Sequence, residues 1–461
     1  MMYDLVIQNG QVVLEDRVEE IDLAIQEGKF AAFGHDLIGK ETIQAKGLVV
    51  IPGKVDSHVH INAIGGGIRD DWEGFVTATA AAAKGGVTTL LQMPCNQLPA
   101  TVDGPSFQAI LDDAKGKLKV DVGQTGGVEP QNLKGGIGEQ DQMGVINYKA
   151  FLGTTGDKKL GNDLYSCDDY SLYEGMRQVA QTGKVLILHC ENATITDALG
   201  RAAHQQGKRK LSDFIKTRPA FTEVEAIERA CLFARETGCR IHIVHVSSKE
   251  GVEAVERAKE RGIDVSCETC NHYLYFKDSQ VDQLGNQVKC TPPVRDQANQ
   301  EALWKKVLSG AIDFIVSDHS PAPARLKETD DAFKAWGGIA SLQNDVDIFF
   351  DEAVQKRGMS LLQFVDLNSK RSAERFGLNK KGSIAIGKDA DLAFIQPHTP
   401  YCLKAKDLEY RQPISPYIGK EIGCRIVRTF LRGKEIYSLE KGVSADFKGE
   451  FILHPSHKMT N

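Results

Sequence analysis

Two histidines and an aspartate alternate in the segment VDSHVHIN, at Asp56, His58 and His60. Side chains two positions apart in a strand lie on the same face of it. Two imidazoles on one face can bind a metal ion. Taken alone, the pattern is equally consistent with two partly exposed histidines, so its meaning depends on the residues that the fold brings near.

Three further polar residues close strand-like runs later in the chain. His189 ends LILHCEN, His245 lies near the end of IHIVHVSS, and Asp318 ends FIVSDHS. The C-terminal ends of several strands supply the catalytic groups of a β/α barrel. If these runs are barrel strands, one mouth of the barrel brings together Asp318 and four histidines: His58, His60, His189 and His245.

Lys149 lies inside the apolar run GVINYKAFL, where a central strand of a barrel should be apolar. A buried, unpaired ammonium group is costly, so this lysine must be neutral, paired or modified. An ion pair within the barrel is one explanation. The metal-type residues at the other strand ends favour a second one, in which the neutral amine takes up carbon dioxide and the carbamate bridges two metal ions.

The elements that must position these residues form a repeating pattern. Eight strand-like runs, from VVIPGKVDSHVHI to AIDFIVSDHS, alternate with stretches in which apolar residues recur at three- and four-residue steps. This alternation predicts an α/β fold, a (β/α)₈ TIM barrel over residues 53–383. The stretch from Ala193 to Ala220 is predicted to be an insertion.

Both chain ends have a different pattern. Residues 1–52 and 384–461 contain short alternating strands broken by turns such as Asn9-Gly10. Neither end has enough strands to bury a face by itself. We therefore predict that the ends combine into one small β-sandwich domain beside the barrel.

Composition narrows the classes of partner. The 461 residues carry a net charge of −6 and no basic run, so neither nucleic acid nor an anionic membrane is a predicted partner. No apolar run reaches the ~18 residues that span a bilayer, and the N-terminus lacks the features of a signal peptide. Together with ten cysteines in no disulfide-type spacing, this predicts a cytoplasmic protein.

Some residues of reactive type are predicted to be structural. Cys267 and Cys270 form a C-x-x-C with no second pair nearby, which favours two thiols in a strand over a redox or zinc motif. His242 lies three residues before His245, on the opposite face of the strand, and is interpreted as a packing or surface residue. His272 and His319 are predicted to lie in exposed loops.

Long collinear motifs are similar to those of the cyclic amidohydrolase family of dihydroorotases, dihydropyrimidinases (hydantoinases) and allantoinases. The similarity covers essentially the whole chain, and within the family it is greatest to bacterial allantoinases. The motifs are GLVVIPGKVDSHVH, LILHCEN, CTPPVRD, SDHSP and GSIAIGKDADLAFI for the family, and MPCNQLPATVD, RPAFTEVEAI and KAWGGIASLQ for allantoinases.

The resemblance implies a binuclear metal site and a hydrolytic reaction. Its ligands would be His58, His60 and Asp318 for the more buried ion, His189 and His245 for the second, and carbamylated Lys149 between them. A hydroxide between the ions would be the nucleophile, and Asp318 would take its proton and pass it to the leaving nitrogen. Zinc suits these ligands, as do manganese, cobalt, iron and nickel. The family also implies a homo-oligomer, a tetramer or a dimer.

The residues around this site predict a neutral substrate ring. No cation follows His60 closely, where dihydroorotases carry the arginine that binds a substrate carboxylate, and the nearest one is Arg69. Thr154 and Gly337 stand where hydantoinases carry tyrosine and asparagine, and Thr291 is a pocket hydroxyl. These three are the predicted substrate contacts, and together they favour allantoin, hydrolysed to allantoate.

One segment departs from the family. The sequence INAIGGGIRDDWEG has three glycines, Gly65–Gly67, in place of a stiff Pro-Gly-Arg turn, which leaves the position of Arg69 open. Trp336, after the eighth strand, is a candidate wall of the pocket. Two other functions stay open: a hydantoinase-type cyclic amidase, and a non-catalytic assembly protein of the dihydropyrimidinase-like kind, which loss of metal ligands would mark.

Overall fold

The computed structural model of the protein describes residues 2–454. Its strands are β1 (Tyr3–Val13), β2 (Val18–Gln26), β3 (Lys29–Gly34), β4 (Gly39–Gln44), β5 (Val49–Pro52), β6 (Lys54–Val59), β7 (Val87–Gln92), β8 (Asp121–Gly127), β9 (Asn147–Phe151), β10 (Val185–His189), β11 (Arg240–Ile243), β12 (Val265–Cys270), β13 (Phe314–Val316), β14 (Leu392–Gln396), β15 (Tyr401–Cys402), β16 (Glu421–Ile422), β17 (Arg425–Leu431), β18 (Lys434–Ser438), β19 (Gly442–Val443) and β20 (Phe451–Ile452).

The helices are α1 (Phe75–Lys84), α2 (Gly104–Ala114), α3 (Gly136–Met143), α4 (Asp169–Thr182), α5 (Ala193–Gln205), α6 (Leu211–Lys216), α7 (Ala220–Thr237), α8 (Lys249–Glu260), α9 (Asn271–Tyr275), α10 (Val281–Leu284), α11 (Gln297–Leu308), α12 (Asp345–Phe349), α13 (Leu361–Val365) and α14 (Arg371–Arg375). Within residues 2–454, none of them combines the length and the apolar character that crossing a membrane requires.

Strands β6 to β13 form a parallel sheet in chain order. A parallel bridge from Val59, at the end of β6, to His319, just after β13, nearly closes the sheet into a barrel. Strands such as β7 and β10 are buried at every position, as expected where helices cover one face of a barrel and side chains fill its interior. The predicted (β/α)₈ barrel is confirmed.

Local sequence sets the ends of the covering helices. Helix α8 begins after Ser248, whose side chain accepts a hydrogen bond from the backbone N–H of Gly251. Helix α7 ends at Gly238, which adopts the left-handed conformation that glycine tolerates best. Helices α5 and α6 occupy the stretch predicted to be an insertion, and α6 places Phe214 over the mouth of the barrel.

The chain ends form a second, nine-stranded sheet. Its strands run in the order β19-β18-β17-β14-β5-β1-β2-β3, with β4 also paired to β1. Antiparallel pairing of β5 with β14, for example Val50 with Phe394, joins the two ends over a small apolar core of their own. The predicted β-domain from both ends is thus confirmed, whereas its limits at residues 52 and 384 stay a prediction. Strand β20 pairs instead with β8 of the barrel.

Candidate active site

The strand-end residues picked out by sequence meet at the C-terminal mouth of the barrel. His58 Nε2 lies 3.3 Å from Asp318 Oδ1, and His60 Nε2 lies 3.4 Å from the same oxygen. The ligand atoms of these three residues all lie within 4.8 Å of one another, so the trio could hold a metal ion. Lys149 Nζ lies 3.1 Å from His58 Nε2, on the same cluster.

The other two histidines form a second cluster against the first. His189 Nδ1 and His245 Nε2 are 3.0 Å apart. The ring centres of His245 and His58 are 5.3 Å apart, so the two clusters share one floor. All six predicted ligand residues are therefore brought together, and their role as ligands stays a prediction.

The backbone bends sharply at two of these positions. His245 and Asp318 follow β11 and β13 with φ angles of +40° and +45°. Left-handed backbone at a residue other than glycine is uncommon and costs on the order of 1–3 kcal/mol, and it clusters at functional sites. Here both side chains lie at the mouth of the barrel and line its cavity.

Lys149 is completely buried, and no carboxylate lies within ion-pair distance of its ammonium nitrogen in the described part of the chain. The alternative of a lysine ion pair within the barrel is therefore absent from this structure. Burial lowers the pKa of Lys149, although the charges of Asp318 and Glu268 oppose this effect. The neutral amine is the form that can become a carbamate, and the lowered pKa favours that form.

For Asp318, nearby charges outweigh the effect of burial on the pKa. Burial by itself raises the pKa of this carboxyl group, but the hydrogen bond and the charge of His60 lower it by more, so the pKa lies below its ordinary value. Asp318 is consequently a carboxylate beside imidazole nitrogens, which is the state needed to bind a cation or to accept a proton.

The donor chemistry fits divalent metal ions. Two imidazole nitrogens face each other at 3.0 Å in the pair His189–His245, and the other ring nitrogen of His245, Nδ1, has no hydrogen-bond partner among the described residues. A set of imidazoles, one carboxylate and one uncompensated buried lysine is costly unless a cation or a modification completes it. Metal ions at this floor would satisfy these groups.

A cavity of about 420 Å³ opens above the floor, within the size range of small-molecule sites. Thr154, Thr291 and Gly337, the predicted substrate contacts, all line it. Trp336 lines it as well, as proposed from its place after the eighth strand. A Cβ atom built on Gly337 would meet no atom within 4 Å, so this glycine leaves open space in the cavity.

Comparison with known proteins places the chain in a family. Residues 49–436 match the amidohydrolase family. The chain belongs to the amidohydrolase family. An allantoinase of Enterococcus faecalis is 57% identical over 452 residues, which cover 98% of this chain and all of that protein. Allantoinases of Bacillus licheniformis and Escherichia coli are 54% and 49% identical, over 98% of this chain and 100% and 99% of their own lengths.

Solved structures agree with this amidohydrolase assignment. An L-hydantoinase (dihydropyrimidinase) from Arthrobacter aurescens superposes with a TM-score of 0.93 at 30% identity, covering 98% of this chain and 100% of that chain. A D-hydantoinase (dihydropyrimidinase) from Thermus sp. gives a TM-score of 0.89 at 25% identity, covering 98% and 99%. The resemblance found in the sequence motifs is confirmed.

Two glutamates that sequence reasoning missed support the histidines of this amidohydrolase. Glu268, in β12, lies 2.5 Å from His58 Nδ1 and 3.0 Å from His242 Nε2. Glu191 lies 2.8 Å from His189 Nε2. Carboxylates that hold the second nitrogen of a metal-binding histidine fix its orientation and tautomer. Their sequence signal is weak: Glu268 lies within a buried run, in CET, and Glu191 lies just after one, in HCEN.

Three further histidines, not among the predicted ligands, are all buried. His242 packs on Phe314 with ring centres 4.6 Å apart, so its interpretation as a packing residue holds. The predicted exposure of His272 and His319 is wrong, since both are at most 1% exposed. His319 continues the edge of β13 by bridging to Val59. His272 lies in α9, with a ring nitrogen within 4.8 Å of the ligand atoms of Asp318 and Cys270. A polar residue type after a strand did not predict exposure.

The glycine-rich segment of this amidohydrolase places Arg69 in the cavity wall. Its guanidinium group lies 2.8 Å and 3.4 Å from the two carboxylate oxygens of Asp163. The same group lies over the rings of Trp72 and Trp336, 5.2 Å and 5.6 Å from their centres. Arg69 thus joins three of the loops around the cavity and is already neutralised by Asp163.

Proposed function

We propose that this protein is an allantoinase, which adds water across one amide bond of the hydantoin ring of allantoin and releases allantoate. The observation that carries the proposal is the joint presence of four histidines, Asp318 and an uncompensated buried lysine on one barrel floor. Relatives named allantoinase, 49–57% identical over almost the whole chain, support the choice of substrate.

The proposal assigns a role to each floor residue. His58, His60 and Asp318 would hold one divalent ion, His189 and His245 a second, with carbamylated Lys149 between them. Such ions, with zinc among those that these ligands suit, would supply an activated water and polarise the scissile carbonyl.

Within this scheme Asp318 moves the proton. Its carboxylate accepts a proton from the attacking water and returns it to the ring nitrogen that leaves. The hydrogen bonds of Glu268 and Glu191 hold His58 and His189 so that their other nitrogens face the floor.

The cavity also supports a substrate larger than a bare ring. Thr154, Thr291 and Gly337 would contact it, and the open space beside Gly337 would admit the ureido arm of allantoin. Arg69 cannot serve a substrate carboxylate without giving up Asp163, which favours a neutral ring over dihydroorotate.

The test is a hydrolysis panel on metal-replete protein with allantoin, hydantoin, dihydrouracil and dihydroorotate. We expect the highest kcat/KM with allantoin. Lys149→Ala removes the bridging group, and should lose most bound metal and turnover of every substrate. A preference for hydantoin or dihydrouracil would contradict the substrate, and full metal content and turnover in Lys149→Ala would contradict the carbamate.

A hydantoinase-type amidase is the second candidate, because the solved relatives at 25–30% identity are hydantoinases. The same hydrolysis panel distinguishes it from an allantoinase, since a hydantoinase would prefer hydantoin or dihydrouracil to allantoin. A non-catalytic assembly role has less support, since the residues expected to bind metal are all present at the floor. Metal analysis of the purified protein tests that alternative.

The proposal also includes a cytoplasmic homo-oligomer, a dimer or a tetramer. Light scattering on the purified protein measures the oligomeric state directly. A monomer that hydrolyses allantoin at full rate would contradict this part of the proposal alone.

A further inference from the structure

The cations that line the cavity differ in whether a carboxylate neutralises them. Arg69 pairs with Asp163, Arg218 with Glu191, and Lys334 with Asp331. Lys149 and Lys289 have no carboxylate within ion-pair distance among residues 2–454, and Lys149 belongs to the floor described above. Lys289 is therefore the cavity-lining cation that neither pairs with a carboxylate nor belongs to the floor.

The contacts of Lys289 leave part of its donor capacity unused. Its ammonium group donates one hydrogen bond to the carbonyl of Ala335 and lies 4.4 Å from the ring centre of Phe214. An ammonium group has three N–H donors. The carbonyl takes one and the face of the ring attracts a second, which leaves a third free. Lys289 is 5% exposed, so a free donor there lacks most of the bulk water that would otherwise satisfy it.

Lys289 lines the cavity next to predicted substrate contacts. It precedes Thr291 by two residues, and its backbone carbonyl accepts a hydrogen bond of 2.8 Å from the N–H of Gly338. Lys289 is thus near two of the predicted substrate contacts, Thr291 and Gly337, in the same cavity wall. On its other side, the Arg218 guanidinium group lies 4.9 Å from the same Phe214 ring, and its Nε has no partner among the described residues.

We propose that Lys289 is a specificity-determining residue, whose ammonium group donates a hydrogen bond to the carbonyl oxygen of the ureido arm of the substrate. The inference rests on the proposed function. A ureido carbonyl is a neutral acceptor that needs a single donor, and the open space at Gly337 admits the arm beside that donor. Hydantoin has the same ring without the arm, so it cannot use Lys289.

The charged surroundings of Lys289 are consistent with this role. Burial, together with the nearby charges of Arg218 and Lys327 and opposed by Asp331, lowers the pKa of Lys289 to about 7. An acceptor oxygen placed against the ammonium group favours its protonated form. Substrate binding and protonation of Lys289 therefore reinforce each other.

The test compares two substrates in Lys289→Met, which keeps most of the length of the unbranched side chain and removes its donors. A hydrogen bond from a charged donor typically changes affinity by about 10- to 100-fold. We expect kcat/KM for allantoin to fall by that factor, chiefly through KM, and kcat/KM for hydantoin to change by less than about threefold. Lys289→Gln keeps an N–H donor and should recover part of the loss.

Lys327→Met is the matched control. Lys327 is also a buried lysine, and it donates to the carbonyls of Trp336 and Gly338 in the same wall but does not line the cavity. We expect Lys327→Met to change kcat/KM for both substrates by the same factor. If it reproduces a loss confined to allantoin, Lys289 acts by supporting the wall, and the inference is overturned.

The remaining outcomes separate this inference from the proposed function. If the wild-type protein hydrolyses hydantoin but not allantoin, the proposed function fails whatever Lys289 does. If the wild type hydrolyses allantoin and Lys289→Met stays within threefold of it, the function stands and the role of Lys289 is wrong. Should Lys289→Met not fold, Lys289→Gln decides, because an unchanged ratio of the two substrates with a weaker donor also overturns the inference.

Discussion

Substitution of Glu268 tests how buried carboxylates orient the histidines of the floor and set their protonation. Its carboxylate lies between His58 Nδ1 at 2.5 Å and His242 Nε2 at 3.0 Å, and His242 Nδ1 lies 2.7 Å from Ser266 Oγ. Because His58 Nδ1 lies much closer to the Glu268 carboxylate than Nε2 lies to Asp318, we assign the His58 proton to Nδ1, which donates to Glu268 and leaves Nε2 free to face the floor. Burial raises the pKa of Glu268; in its ionised form, its negative charge increases the basicity of the ring nitrogen that faces the floor.

Glu268→Gln removes that charge and keeps the hydrogen bonds. The amide oxygen accepts from His58 Nδ1–H, and the amide N–H donates to His242 Nε2 once the His242 proton moves to Nδ1, where Ser266 Oγ accepts it. We therefore expect little loss of folding stability. Metal affinity should fall by about 10- to 100-fold, the usual effect of removing such a partner, which corresponds to about 1.4–2.7 kcal/mol.

Glu268→Ala has a different expected signature. It leaves the buried Nδ1–H of His58 without an acceptor, which costs about 1–3 kcal/mol of the free energy of unfolding in addition to metal affinity. The assays are competition with a chromophoric chelator for metal binding and chemical denaturation of the metal-free protein for stability.

Glu129→Gln is the control for Glu268→Gln. Glu129 is likewise a buried glutamate, 3% exposed, but it accepts a hydrogen bond from the backbone N–H of Tyr165 and contacts no histidine. Wild-type metal affinity in Glu268→Gln, or an equal loss in Glu129→Gln, would refute the reasoning.

Three further predictions follow from the same floor and wall. Asp318→Asn cannot accept a proton at neutral pH, so kcat for allantoin should fall by at least about 10²-fold with much of the metal retained; turnover within a few-fold of wild type would mean that another residue is the base. In Gly153→Ala the new Cβ would lie 2.8 Å from His189 Nε2, so metal analysis should find fewer than two ions per chain, whereas Gly200→Ala, with no atom within 4 Å of its Cβ, should keep both. Lys289 has a pKa of about 7 in the folded protein, whereas in the unfolded chain it keeps its proton to about pH 10. Between those pH values the unfolded state binds more protons, so the free energy of unfolding should rise with pH relative to that of Lys289→Met. If denaturation series at different pH values give parallel curves for the two proteins, the lowered pKa is contradicted.

Much of the fold and the floor could be predicted from sequence because their signals are local. Alternation of apolar runs with helical periodicity predicts a barrel, and the ends of barrel strands must lie at one mouth. His189 and Asp318 could therefore be placed together although 128 residues separate them. Lys149 stood out for a related reason, since a charge in an apolar strand conflicts with its surroundings.

Only the tertiary structure decided which charges are compensated. Glu268 and Glu191 contact their histidines, and Arg69 contacts Asp163, through distances that no spacing rule predicts. Lys289 precedes a recognised motif and has no feature of its own in the sequence, yet folding leaves it buried in the cavity wall without a carboxylate. The physical reason is that a hydrogen bond or an ion pair depends on separations of a few ångströms between loops that are remote in the chain, whereas hydrophobic periodicity depends only on neighbours along it.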